Sequence, residues 1–286
     1  MKERVVGREA VEVVPERNAG RMARLIRSVR TGWMVLLVLA ALVPVAGAGC
    51  GGEEVDDTMI LTVEQAVAAE PGQAMRVRGM LVATENEVKL ASALLESYPP
   101  QAGGSTLVVE DLDMQALVGL SSTAGQSGMA LVTWSDFPVV LGGTVEDGVL
   151  GVKAIPPVFE AASAEIRVRF SPGGEALPAG DPVWWVFDVT NLTAGPLDLT
   201  FLSGQMGEVT FRKDGTEVYR WSDGKSFTQA VMVETLQPGQ SRAVILNDLV
   251  SLAPGTYEVT AKVTASSGPE GSTEALPEVA ATLTVR

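Results

Sequence analysis

From about residue 164 onward, apolar and polar side chains alternate so regularly that the chain must be laid down as strands with one dry and one wet face. Ile166, Val168 and Phe170 oppose Glu165, Arg167 and Arg169, and Leu197, Leu199 and Phe201 oppose Asp198 and Thr200. Tyr257, Val259, Ala261 and Val263 alternate with Glu258, Thr260, Lys262 and Thr264, and Val279, Ala281, Leu283 and Val285 with Thr282, Thr284 and Arg286. A period of two buries one face of each strand, so two sheets must pack face to face. With Gly, Pro and Asn turns between the strands, the pattern predicts an immunoglobulin-like β-sandwich over 160–286.

The preceding stretch, 62–156, reads as a second all-β unit with small helical inserts. Thr62 and Gln65 form a capping-box pattern for a short helix, Val63 to Ala69, stopped by Pro71-Gly72. Candidate strands are Met75–Ala83, Glu87–Leu90, Leu107–Val109, Met129–Trp134, Val139–Glu146 and Val149–Ile155, with a helical insert near Asp113–Val118. Asp147-Gly148 between two apolar runs is a strong hairpin signal. Strands this short fit an OB-like β-barrel first and a five-stranded sheet packed on one helix second. Pro156-Pro157 marks the linker, and we expect the two units to fold independently about it.

The N-terminal segment carries a different message. Arg21, Arg24, Arg27 and Arg30 lead into the uncharged stretch Trp33 to Gly49, and small residues then reach Cys50, the single cysteine of the 286 residues. That is the layout of a lipoprotein export signal, with a leader and signal helix over 1–49 and lipidation at Cys50; Gly47 stands where an aliphatic residue is usual. The uncharged run is shorter than the roughly 20 residues of a spanning helix, and Pro44 interrupts it, so an uncleaved anchor is the weaker reading. The acidic leader before Met22 is foreign to such signals and suggests Met22 as the true start. Residues 50–61, glycine-led and acidic, read as a tether. The expected location is the extracytoplasmic face of a bacterial membrane, held by lipid.

With 35 acidic against 21 basic residues, a net charge of −14, the surface repels nucleic acid and anionic headgroups, so no nucleic-acid partner is expected. The chain has no histidine, and its one thiol would carry the lipid, so neither a Ser-His or Cys-His nucleophile nor a His/Cys zinc site can be built. Asp56-Asp57 and Asp111/Asp113 lack the spacing of a calcium loop. No enzymatic activity, cofactor or metal is expected.

Two stretches resemble known families. Leu94-Leu95-Glu96-Ser97-Tyr98-Pro99-Pro100-Gln101 resembles a segment of uncharacterised actinobacterial secreted proteins of OB-like architecture. The resemblance implies no activity; it places cysteines at Ala91 and Ala102, hence a disulfide lost here, and makes Tyr98 and its prolines a rigid structural loop. In the sandwich, Val186–Asn191, the run Tyr219-Arg220-Trp221-Ser222-Asp223-Gly224-Lys225-Ser226-Phe227-Thr228-Gln229-Ala230, Leu236–Ser241 and Leu252–Tyr257 together resemble the intracellular proteinase inhibitor (BsuPI) family over roughly 165–265. The resemblance implies non-covalent inhibition of a serine protease; another extracytoplasmic protein partner, with no protease target, is the alternative. Within the run, Tyr219, Trp221 and Phe227 read as core side chains, and Ser222-Asp223-Gly224 as a turn in which Gly224 takes positive φ. Lys225 is expected at a hairpin tip where packing demands nothing of it, making Lys225, Ser226 and Asp223 the candidate partner contacts.

Overall fold

The computed structural model describes residues 59–174, 176–268 and 274–286. The expected signal helix, Cys50 and most of the acidic tether lie outside the described residues. Among the described residues, no helix is long and apolar enough to cross a membrane. The protein is all-β, a small barrel followed by a two-layer sandwich, with one short helix at the barrel's entrance.

Ala74–Ala83, Val88–Leu95 and Gln101–Glu110 form an antiparallel meander. Val149–Ala154 runs parallel to Gln101–Glu110 and antiparallel to Val139–Glu146, which returns to pair with Ala74–Ala83. Five strands therefore close on themselves in the OB-like order, and the parallel pair is what seals the ring. The lumen is filled by Val77, Leu81, Leu90, Leu107, Leu141 and Leu150, all fully buried. The helix Val63–Val67 adds Val63 and Ala66 to that core. Its cap is the expected one: the Gln65 N–H donates to the Thr62 hydroxyl at 3.3 Å, and the Thr62 N–H to the Gln65 side chain at 2.8 Å. Asp147 and Gly148 both take positive φ, at 48° and 79°, which twists the hairpin as its strands require.

Three local expectations change. The strand expected over Met129–Trp134 is only Thr133–Ser135, because the Thr123 side chain replaces the ladder before it: its hydroxyl donates to the Ala130 carbonyl at 2.7 Å and accepts from the Val132 N–H at 2.9 Å. The strands at 88–95 and 101–110 run well beyond the cores seen in sequence. The disulfide implied across Ala91 and Ala102 has no place in this register, since Ala91 lies opposite Thr106 and Ala102 opposite Leu94. Tyr98, by contrast, is fixed, its ring edge-on to Trp134 at 6.0 Å and its hydroxyl accepting from Gln126 at 2.6 Å.

In the sandwich, one sheet is ordered Ser241–Leu249, Pro182–Asn191, Ile166–Ser171, Phe159–Ala162, the last a strand directly after the Pro156-Pro157 linker. The facing layer holds Ala176–Leu177, Val279–Val285, Gly255–Val263, Gly207–Lys213 and Thr216–Arg220, and beside them Met232–Leu236, Leu197–Phe201, Ala265–Ser267 and Glu274–Ala275. The alternation read from sequence is the burial observed: Ile166, Val168, Phe170, Leu199, Phe201, Val259, Ala261 and Leu283 all enter one core around Trp185 and Phe187.

The outer face of the first sheet is not left wet. Val186 joins the barrel's apolar core beside Leu117, Val118 and Phe137. The Gly119 N–H donates to the Asp188 carboxylate at 3.0 Å, and the Arg169 guanidinium donates to the Gln115 and Ala116 carbonyls at 3.1 and 3.0 Å. The described residues thus belong to one compact unit. Gly119 is what lets the layers meet: its φ is +78°, and a Cβ there would lie 2.1 Å from a Val186 methyl. Gly119→Ala should lower stability by at least about 2 kcal/mol, combining left-handed strain with overpacking, as read from the denaturation midpoint. An unchanged midpoint would show that the contact yields freely.

Candidate functional site

The run Tyr219–Ala230 begins on Thr216–Arg220, an edge strand of one layer, beside Ser241–Leu249, an edge strand of the other. Tyr219 points between the layers. Its ring meets Trp185 and Phe211 edge-on at 5.6 and 5.5 Å, and its hydroxyl donates to the Asp248 carboxylate at 2.8 Å. Two residues on, and so on the same side, Trp221 is buried in the core and its indole N–H donates to the Asn247 carbonyl at 3.1 Å. Both aromatics tie one edge strand to the other.

The chain then turns tightly. The Asp223 N–H donates to the Arg220 carbonyl at 3.1 Å and the Lys225 N–H to the Ser222 carbonyl at 3.0 Å, with Gly224 at φ 73°. Glu208, 4% exposed, holds this turn from beneath. It accepts from the Ser222 N–H at 3.1 Å, the Ser222 hydroxyl at 2.5 Å, the Gln205 amide at 3.0 Å and the Val209 N–H at 3.2 Å. A buried carboxylate so fully hydrogen-bonded is stabilising where a bare one would be costly.

Lys225 is not a free tip residue, and no hairpin surrounds it. After Gly224 the chain runs on without regular structure and enters Met232–Leu236, which pairs with Leu197–Phe201 and not with Thr216–Arg220. Lys225 folds back, its ammonium 2.8 Å from the Asp248 carboxylate and 5.1 Å from the centre of the Trp221 ring. The reason is electrostatic: an acid at the edge of an aromatic face offers a lysine both an ion pair and a π surface, and water offers less. Phe227 packs against Trp221, the ring centres 5.5 Å apart and the planes tilted by 36°. Asp223 and Ser226 are exposed on the turn.

Asp248, which the sequence pattern did not single out, is therefore the hub. Partial burial alone would raise its pKa, but hydrogen bonds from Lys225, Tyr219 and the Leu249 N–H outweigh that and hold the carboxyl below the ordinary range. Burial, reinforced by the hydrogen bond to Asp248, pushes the Tyr219 phenol far above its usual value, so it stays a donor at every working pH. Around the hub the hydrogen bonds and ring contacts orient the turn.

The BsuPI family model, described as intracellular proteinase inhibitor, matches residues 172–268. That span lies in the sandwich and includes the whole run from Tyr219 to Ala230. No curated protein matches the chain. Among solved structures, the CARDB domain of a Pyrococcus furiosus protein is similar at 14% identity over 42% of this chain and 94% of its own, with a TM-score of 0.25. The C-terminal domain of Wzt is similar at 14% identity over 46% of this chain and 79% of its own, with a TM-score of 0.31. The sporulation control protein Spo0M of Bacillus subtilis is similar at 13% identity over 43% of this chain and 50% of its own, with a TM-score of 0.26. The architecture rests on the strand pairing described above.

Trp221→Ala should cost about 3–5 kcal/mol, since it removes a buried ring and the indole bond together. Lys225→Ala should cost about 1–2 kcal/mol, the sum of a partly exposed ion pair and a cation–π contact. Because the folded Asp248 carboxyl titrates below its unfolded value, its contribution is complete above about pH 4 and is lost as pH falls through the folded value. Urea denaturation of wild type and Asp248→Asn should therefore start to converge in stability as pH falls below about 4, and a constant difference down to strong acid would contradict the assigned role of the Asp248 carboxylate.

Proposed function

We propose that the protein is a lipid-anchored extracytoplasmic protein whose sandwich binds and inhibits a serine proteinase without covalent chemistry. The match of residues 172–268 to a proteinase inhibitor family carries the reading. The geometry supports it in one respect: the Ser222–Ser226 turn is held from three sides by Glu208, Trp221 and Asp248. A turn ordered before binding loses little conformational entropy on docking, which is how inhibitor loops gain affinity. Asp223 and Ser226 project from it for direct contact, and Lys225 acts through the shape of the turn. Anchoring is proposed at Cys50, where the basic segment, the uncharged run and the small residues converge on the single cysteine.

Two measurements test the two halves of this reading. Purified full-length protein should inhibit at least one member of a broad serine-proteinase panel, and Asp223→Ala with Ser226→Ala should weaken that inhibition by about tenfold while leaving the melting temperature unchanged. Absence of inhibition across the panel would leave a surface binding scaffold as the function. Metabolic labelling with a fatty-acid probe should mark wild type and not Cys50→Ser, and equal labelling of both would remove the anchor.

A further inference from the structure

Where the barrel lies against the outer face of the sandwich, a groove of about 870 Å³ remains open. Its floor is the sandwich sheet, with Glu160, Arg167, Arg169 and Asp188 on it, and its opposite wall is apolar, formed by Val88, Leu120 and Leu131 of the barrel. The two arginines lie two residues apart on Ile166–Ser171 and so face the same way, but their situations differ. Arg169 is committed to the Gln115 and Ala116 carbonyls. Arg167 is not: its Nε is buried without a hydrogen-bond partner, and its guanidinium makes no hydrogen bond or ion pair among the described residues. An arginine N–H removed from water and left unpaired is costly, and few native side chains are left so.

We propose that this groove binds a monocarboxylate with an apolar body, its carboxylate on the Arg167 guanidinium and its body against Val88, Leu120 and Leu131. The fork of an arginine matches a planar carboxylate, and its vacant donor defines where the ligand's charge sits. Charge balance sets the valence. Glu160 and Asp188 share the floor with the two arginines, so the groove has no excess positive charge for a polyanion, and the net charge of −14 repels one. Asp188 accepts the Gly119 N–H and makes no ion pair with Arg167 among the described residues; burial raises its carboxyl above the ordinary range, partly offset by that N–H and by the charges of Arg169 and Arg167. Thr84, Thr133 and Ser241 also line the groove, their hydroxyls hydrogen-bonded within the protein. A volume of this order suits a small acid or the terminus of a short peptide, and the two share the recognised chemistry.

Calorimetric titration of the full chain with two acids, 4-phenylbutyrate and the tripeptide Ala-Leu-Phe, each beside its C-terminal amide, tests the site. At least one acid should bind at millimolar concentration or tighter, and its amide should bind at least about tenfold more weakly. Which acid binds identifies the source, a free small molecule or a peptide terminus. Arg167→Ala should reduce binding by about tenfold or more, and Arg212→Ala, an exposed arginine on a different strand, should leave it unchanged. If neither acid binds, if acid and amide bind alike, or if Arg167→Ala binds as wild type, the proposal is wrong. The comparison of acid with amide uses wild-type protein alone, so it decides the question even if Arg167→Ala folds poorly. None of these outcomes depends on proteinase inhibition.

Discussion

The carboxylate of Asp248 accepts from Tyr219 across the gap between two edge strands and from Lys225 beyond them, and the rest of the sandwich's free side is arranged around that acceptor. A two-layer sandwich is sealed by its core in the middle but open along its flanks, where each sheet ends in unpaired backbone. Here Trp221 takes the Asn247 carbonyl of one edge while its ring closes the core, and Glu208 ties down the turn that follows. Five side chains from four segments thus form one seam. Each polar member is at least half withdrawn from water and each has its partner, which is the condition under which such networks stabilise.

This explains why a family-specific run of residues can be almost entirely structural. Tyr219, Trp221, Gly224, Lys225 and Phe227 build the turn, and Asp223 and Ser226 are what the turn displays. In the proposed inhibitor role, the exposed Asp223 and Ser226 would make the contacts, with the aromatics serving as the frame. The second consequence of packing lies on the opposite face of the first sheet, where the barrel covers Val186 and leaves Arg167 in a groove without a partner.

Much of the fold was legible because burial follows period. Ile166 to Phe170 and Tyr257 to Val263 alternate without exception, and the structure buries the apolar member every time. Asp147-Gly148 announced its turn, and Asp214-Gly215, joining Gly207–Lys213 to Thr216–Arg220 at φ 52° and 75°, carries the same signal and was equally readable. The strand before Thr133 was misjudged because a threonine side chain can replace a ladder, which no periodicity reveals. Lys225 was misplaced for a related reason. Its partner is separated from it by 23 positions, and Asp248, like Glu208, sits in a strand whose pattern asks only for a polar residue. Local sequence shows that a charge exists, and only topology shows which opposite charge it meets.

The most direct test of the seam is amide hydrogen exchange on Tyr219→Phe, which deletes one hydroxyl and leaves the ring. Faster exchange confined to Thr216–Arg220, the turn through Lys225 and the Asn247–Leu249 end of the facing edge, with Ile166–Ser171 and Val279–Val285 unchanged, is the predicted result. Unaltered protection at both edges, or an equal loss throughout the sandwich, would show that Asp248 does not join the layers.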